Sequence, residues 1–253
     1  MCKATQVPHL ATGKHRWLER SVKHVLEALS PMRCVACEQP GSLLCNACCS
    51  KLIPIESAGA CPYCGAPAGA LLCTECRGVA GVCERVLAAV TFEGVAARLV
   101  KAYKDEGERP AAELIAGFMY DALEQAAAHK SHAWNQYLAR CNALSFVPAT
   151  RVAYARRGFD HMEAIATWIC HYSNLELADT LIKLSRGDQR MRNRAERLAP
   201  GTQNFKVEHS VENQHILLID DVLTTGATLN RAAQCLIDAG AASVVGLVFA
   251  RVW

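Results

Sequence analysis

Leu217-Leu218-Ile219-Asp220-Asp221-Val222-Leu223-Thr224-Thr225-Gly226-Ala227-Thr228-Leu229 constrains this chain more than any other stretch, because an apolar run meets two carboxylates, then a loop rich in hydroxyls, then a helical pattern. The apolar residues before the acids predict a strand over 216–220, with a ligand loop at 221–226. Leu229, Ala232, Ala233, Leu236 and Ile237 recur at helical spacing before Gly240, which predicts a helix over 227–239. Ligands of open α/β sheets sit beyond the carboxyl ends of the strands. A helix that opens there aims its free N–H groups and positive dipole end at the loop, and Gly226 lets the backbone approach an anion with no Cβ in the way. Asp220 and Asp221 suit vicinal sugar hydroxyls or the waters of a Mg²⁺. The backbone from Thr224 through Thr225, Gly226 and Ala227 to Thr228, with its three hydroxyls, suits a phosphate. A phosphorylated sugar satisfies both halves. The plainer alternative is a buried strand that ends in a solvated acidic turn before a capped helix.

Eight of the fourteen cysteines fall in four Cys-x2-Cys pairs, Cys34/Cys37, Cys45/Cys48, Cys61/Cys64 and Cys73/Cys76. A two-residue gap turns both thiolates toward one ion, and four sulfurs complete a tetrahedral Zn²⁺ shell, so two structural zinc sites are expected. Short intervening segments favour consecutive pairing, Cys34/Cys37 with Cys45/Cys48 and Cys61/Cys64 with Cys73/Cys76, with a crossed arrangement as the alternative. Disulfides or redox chemistry are rival uses of such pairs. Six further cysteines lack that spacing.

With 253 residues, about half of them hydrophobic, the chain accommodates an α/β core plus a smaller module. No apolar run has the length of a membrane span and the N-terminus lacks a secretory pattern, so a cytoplasmic protein with no membrane insertion is expected. A net charge of +3 is too small to argue for nucleic acid by itself. The division expected is a tail and amphipathic helix over 1–31, a double zinc-binding module over 32–80, and the α/β domain over 81–253. Leu18, Val22, Val25, Leu26 and Leu29 mark the apolar face of that first helix. Within the α/β domain, strands are predicted at 85–92, 144–147, 177–184 and 243–250, and helices at 95–104, 111–128 and 160–172. A weakly structured connection is predicted at 129–140, and the structure of 186–199 is left open. The last strand is apolar on both faces, as in the middle of a parallel sheet covered by helices.

An anionic leaving group needs cations opposite the acids. Arg151, Arg156 and Arg157 follow the end of the 144–147 strand, and Lys104 lies near Gly107; a third basic cluster comprises Arg186, Arg190, Arg192, Arg194 and Arg197. Arg157 is the strongest candidate, because it precedes Gly158 at a strand-to-helix junction. His161 reads as a helix-start or hydrogen-bonding residue rather than a general base.

The stretch 216–229 resembles the 5-phosphoribosyl 1-pyrophosphate (PRPP) motif of type I phosphoribosyltransferases. Taken with the two zinc knuckles, Tyr103-Lys104 before Gly107, Val147-Pro148 leading to Arg157-Gly158-Phe159, the Gln189 to Asn204-Phe205 region, and Ala239-Gly240-Ala241 before Ala250-Arg251, the chain is similar to the ComF family over residues 32–251. That resemblance implies a type I phosphoribosyltransferase fold, a mostly parallel sheet flanked by helices, with a small N-terminal zinc-ribbon module. It implies PRPP with Mg²⁺ at Asp220, Asp221 and Thr224 to Thr228, zinc on the eight paired cysteines, and a role in natural competence and the use of external DNA. Phosphoribosyl transfer is one expectation; the alternative is a factor that binds single-stranded DNA and keeps PRPP as a structural or signalling ligand, with DNA-processing competence proteins as further partners. Where family members often carry Asn-Gln after the Phe, this chain has Asp160-His161, which alters the charge beside the expected pyrophosphate loop. Oligomeric state and acceptor base are left open.

Overall fold

The computed structural model describes residues 31–69, 71–78, 81–128, 134–184 and 205–253. The expected N-terminal tail and helix and the Arg186 to Arg197 cluster lie outside the described residues. Five strands form one parallel sheet in the order β1-β7-β6-β2-β3: β1 (Val86–Thr91), β2 (Ala143–Phe146), β3 (Glu176–Leu177), β6 (His215–Leu223) and β7 (Ser243–Arg251). A separate antiparallel ribbon pairs β4 (Leu181–Lys183) with β5 (Phe205–Val207). The helices are α1 (Asn46–Cys49), α2 (Gly94–Asp105), α3 (Ala111–Ala128), α4 (Trp134–Arg140), α5 (Arg151–Arg157), α6 (His161–Tyr172) and α7 (Ala227–Asp238).

The sheet is covered on both faces, which is why the middle stretches of its central strands, 216–219 and 244–250, are apolar. Leu217 and Ile219 of β6 join Leu247 and Phe249 of β7 in a core with Leu99 of α2, Ile115 and Met119 of α3, and Ile165 and Ile169 of α6. Ile216 and Leu218 point the other way and pack with Val244 and Val248 against Leu229, Ala232 and Leu236 of α7. The period-2 alternation of β6 thus divides its apolar residues between two layers. Cys61, Cys64 and Ala66 belong to the second of these layers, beside Val86 and Ala88 of β1.

Three expectations need correction. The strand expected over 216–220 continues through both acids to Leu223, because its pairing with β7 runs on to Leu223↔Arg251; the loop shrinks to 224–226. The strand expected over 177–184 is two strands in different sheets, since the chain turns at Ala178 to Thr180, where the buried Thr180 hydroxyl meets that of Ser145 at 3.1 Å. The connection at 129–140 contains α4, anchored by buried Trp134.

Candidate functional site

The loop after β6 comprises Thr224, Thr225 and Gly226, and α7 opens at Ala227. Thr224, Thr225, Ala227 and Thr228 are exposed. Gly226 is the N-cap, with φ +74°, a left-handed backbone that glycine adopts at no steric cost. It offers no side-chain cap to the first amides of α7, and Thr225 Oγ1 accepts from the Ala227 N–H at 3.4 Å. Exposed hydroxyls around an uncapped helix start form a cradle suited to a phosphate.

Asp220 and Asp221 stand in contrasting surroundings although they are adjacent. Burial and the neighbouring Asp221 charge push the Asp220 carboxyl up to about 8, against the pull of the Asp221 amide, Lys104 and Lys183. Burial acts on Asp221 in the same direction but is outweighed there by a hydrogen bond from His161 and the charge of Lys104, which hold its carboxyl down at about 2. His161 Nε2 lies 2.9 Å from Asp221 Oδ2, and Lys104 Nζ pairs with the same oxygen.

A guanidinium only donates, so Arg157 Nη1, 3.2 Å from His161 Nδ1, fixes Nδ1 as the acceptor. The imidazole proton therefore sits on Nε2 and points at Asp221. Arg157 Nε donates to the Lys104 carbonyl at 2.8 Å, and Tyr103 Oη donates to the His161 carbonyl at 2.6 Å. One connected cluster thus runs from α2 through α5 and α6 to the acid on β6. Asp160 serves as the N-cap of α6, accepting from the Met162 N–H at 2.8 Å and the Ala149 N–H at 2.7 Å, which ties the loop after β2 to the start of that helix.

The four cation candidates separate. Lys104 reaches the acid pair directly. Arg157 is mostly buried and engaged behind it. Arg156 is exposed and pairs with Asp105 at 3.0 Å, and Arg151 is exposed in the first turn of α5. Arg151, Arg156 and Arg157 stand on a helix, where the sequence suggested a loop. His161 is the member of the site whose contact with Asp221 the sequence did not signal; its place after Asp160 indicated a helix start and nothing about β6.

The paired cysteines form two clusters in the consecutive pattern, Cys34/Cys37/Cys45/Cys48 and Cys61/Cys64/Cys73/Cys76, with all sulfurs of a cluster within 4.8 Å of one another. A tetrahedral Zn–S shell has edges of about 3.8 Å, and Cys37···Cys45 and Cys64···Cys73 are each 3.6 Å apart. The clusters repeat each other atom for atom: the Cys45 and Cys73 amides each donate to the first sulfur of their cluster, Cys34 and Cys61, at 3.5 Å. Against burial, these and neighbouring amides hold Cys34 down at about 6 and Cys61 at about 7, while the Cys37 sulfur and burial push Cys48 up to about 12 and burial raises Cys64 and Cys76. Both sets suit structural zinc.

Residues 143–251 match the phosphoribosyl transferase domain. With the parallel sheet and its flanking helices, the fold is that of a type I phosphoribosyltransferase. Competence protein ComFC of Streptococcus pneumoniae (strain ATCC BAA-255 / R6) is 29% identical over 208 residues, which cover 80% of this chain and 85% of that protein. Competence protein ComFC of Bacillus subtilis (strain 168) is 28% identical, with coverage of 82% and 83%. DNA utilization protein YhgH of Salmonella typhi is 25% identical, with coverage of 85% and 94%. Among solved structures, hypoxanthine phosphoribosyltransferase from Trypanosoma cruzi in complex with the product IMP is 17% identical, with a TM-score of 0.33 and coverage of 54% of this chain and 66% of that one. Relatives of both names aligned over four-fifths or more of the chain, together with the matched domain at 143–251, support the ComF family for this protein.

Proposed function

We propose that this protein binds PRPP at the carboxyl end of β6, transfers its phosphoribosyl group to a nitrogen nucleophile, and acts in the uptake or use of external DNA. The observation that carries the PRPP reading is an ionised acid, Asp221, next to Asp220 and one turn of chain from an exposed hydroxyl cradle at an uncapped helix start. The names of the aligned relatives, for competence and for DNA utilization, support the cellular role. A cytoplasmic place of action goes with it; among the described residues no helix is long and apolar enough to cross a membrane.

In this reading Thr224, Thr225 and Thr228, with the amides from Gly226 onward, take the 5-phosphate. Asp220 and Asp221 take the ribose hydroxyls. As the bond from C1 to the pyrophosphate oxygen breaks, its electron pair leaves with pyrophosphate and the new bond forms from the nucleophile nitrogen to C1. The ionised Asp221 carboxylate favours the positive charge that develops on the ring. Lys104, Arg151 and Arg156 meet the pyrophosphate, while Arg157, engaged by Lys104 and His161, acts as a positioning residue. The carboxylate oxygens suit a hard cation, and Mg²⁺ held there with PRPP would neutralise phosphate charge. Residues 32–80 form the zinc-holding module and 81–253 the transferring domain.

Calorimetry tests the reading. The double variant Asp220→Asn with Asp221→Asn abolishes PRPP binding and keeps the circular dichroism of the parent; unchanged affinity refutes it. A second reading, binding of single-stranded DNA, draws on α5, where Tyr154 (51% exposed) stands among the exposed Arg151 and Arg156. Aromatic stacking with cationic neutralisation gives affinity that falls with salt. Replacing both arginines by Gln flattens that salt slope in a titration with labelled single-stranded DNA; an unaltered slope removes α5 from this role.

A further inference from the structure

Arg251 closes β7 and is 2% exposed. Its guanidinium is shared between two places far apart in sequence. Nη1 donates to the Thr224 carbonyl at 2.6 Å and the Leu223 carbonyl at 3.3 Å, at the root of the hydroxyl loop. Nη2 donates to Glu75 Oε2 at 2.8 Å, and Glu75 lies between Cys73 and Cys76 of the second cluster.

The surroundings tighten the link. The turn of the second knuckle lies flat on β1, with the Val86 N–H donating to the Pro62 carbonyl at 2.8 Å and a Cβ built on Gly65 only 2.9 Å from Ala88. The chain leaving the knuckle returns to α7, where the Val82 N–H donates to Asn230 Oδ1 at 3.3 Å. Arg251 holds its place at a cost: its Nε is buried with no partner among the described residues, as is Oγ1 of Thr91, its neighbour in register on β1. A side chain that served packing alone would be better apolar there.

We propose that Arg251 is a positioning residue that fixes the sugar-phosphate loop against the second four-cysteine cluster, so that the shape of the loop depends on that cluster. The inference rests on the PRPP reading for its ligand, but its mechanical part does not. Calorimetry with PRPP and Mg²⁺, zinc stoichiometry and amide hydrogen exchange at residues 224–228 test it together. Arg251→Lys keeps a charge but cannot fork between the carbonyls and Glu75. It is expected to weaken PRPP binding roughly tenfold, the equivalent of one charge-assisted hydrogen bond, and to speed loop exchange while zinc content stays that of the parent. Glu75→Gln alters an exposed side chain and leaves the fold in place, so it serves if Arg251→Lys does not fold; it gives a smaller loss in the same direction. Parent-like affinity and loop exchange in both variants overturn the proposal. If the parent protein shows no PRPP binding, the functional reading fails, and the tether is then judged on exchange at 224–228, where unchanged protection sinks it and faster exchange supports it.

Discussion

Two adjacent carboxyls carry opposite assignments at this site, and each has a consequence for pH. Asp220 has a folded-state pKa raised above its unfolded value by burial and by Asp221. The folded protein therefore holds a proton that the unfolded chain releases, and stability falls as pH rises from about 4 toward 8. Asp220→Asn removes that penalty: without ligand, the variant melts roughly 2–4 °C above the parent at pH 8, about 1 kcal/mol, and at pH 4 the gain disappears. Equal melting differences at both pH values contradict the assignment. Asp221 has a depressed folded pKa, so its contribution is present above the unfolded value and is lost as pH falls toward about 2. His161 sustains that depression through Nε2. His161→Leu leaves the buried carboxylate one donor short, which costs about 2 kcal/mol and moves acid unfolding to higher pH; His161→Gln, which keeps an N–H donor, restores most of it. Acid-unfolding curves read by circular dichroism compare the two variants.

At the scale of elements, the two knuckles are one design with one difference. In each, the residue after the second cysteine takes a left-handed backbone, and its N–H donates to the carbonyl of the first cysteine. That residue is Gly65 in the second knuckle, φ +69°, and Glu38 in the first, φ +62°. A side chain in this region costs about 1 kcal/mol. Glu38→Gly is therefore expected to leave stability unchanged or raise it slightly. Gly65→Ala drives a Cβ to 2.9 Å from Ala88 Cβ and 3.0 Å from its backbone nitrogen, and is expected to cost about 1–3 kcal/mol. Denaturant unfolding of both variants reports the difference; a harmless Gly65→Ala would mean that the knuckle does not bear on β1. The continuation of β6 through Asp220 and Asp221 is the other lesson at this scale. Aspartate is a poor strand former, so the local pattern indicates a stop, yet the ladder with β7 carries the strand three residues further.

Across the whole molecule, the two clusters are built against different layers, and Val35 and Leu43 of the first join the core of α2 and α3. Cys61 and Cys64 pack among Val86, Ala88, Leu223 and Leu229, inside the layer beneath α7, whereas Cys34 and Cys48 share a small cluster with Val95. Loss of metal from the second cluster is thus expected to loosen the sheet itself. Chelation followed by hydrogen exchange checks this: β1 and α7 lose protection together with residues 61–76, while residues 34–48 open without them. Protection of β1 that survives loss of both ions argues against a shared core.

Much of this protein is written locally. The apolar runs of β1 and β7, the helical periodicity of α3, α6 and α7, and the pairing of consecutive Cys-x2-Cys units all follow from short-range spacing, because side-chain direction repeats with the period of the backbone and a two-residue turn brings two sulfurs to one point. The acids and the hydroxyl loop are legible for the same reason, as neighbours in sequence at a strand-to-helix junction. What the sequence leaves open is whatever joins distant segments. His161 meets Asp221 across 60 residues, Lys104 arrives from α2, and Arg251 reaches Glu75 across 176. Charge compensation inside a low-dielectric core depends on which groups the packed layers bring within hydrogen-bond reach, and that choice belongs to the tertiary structure.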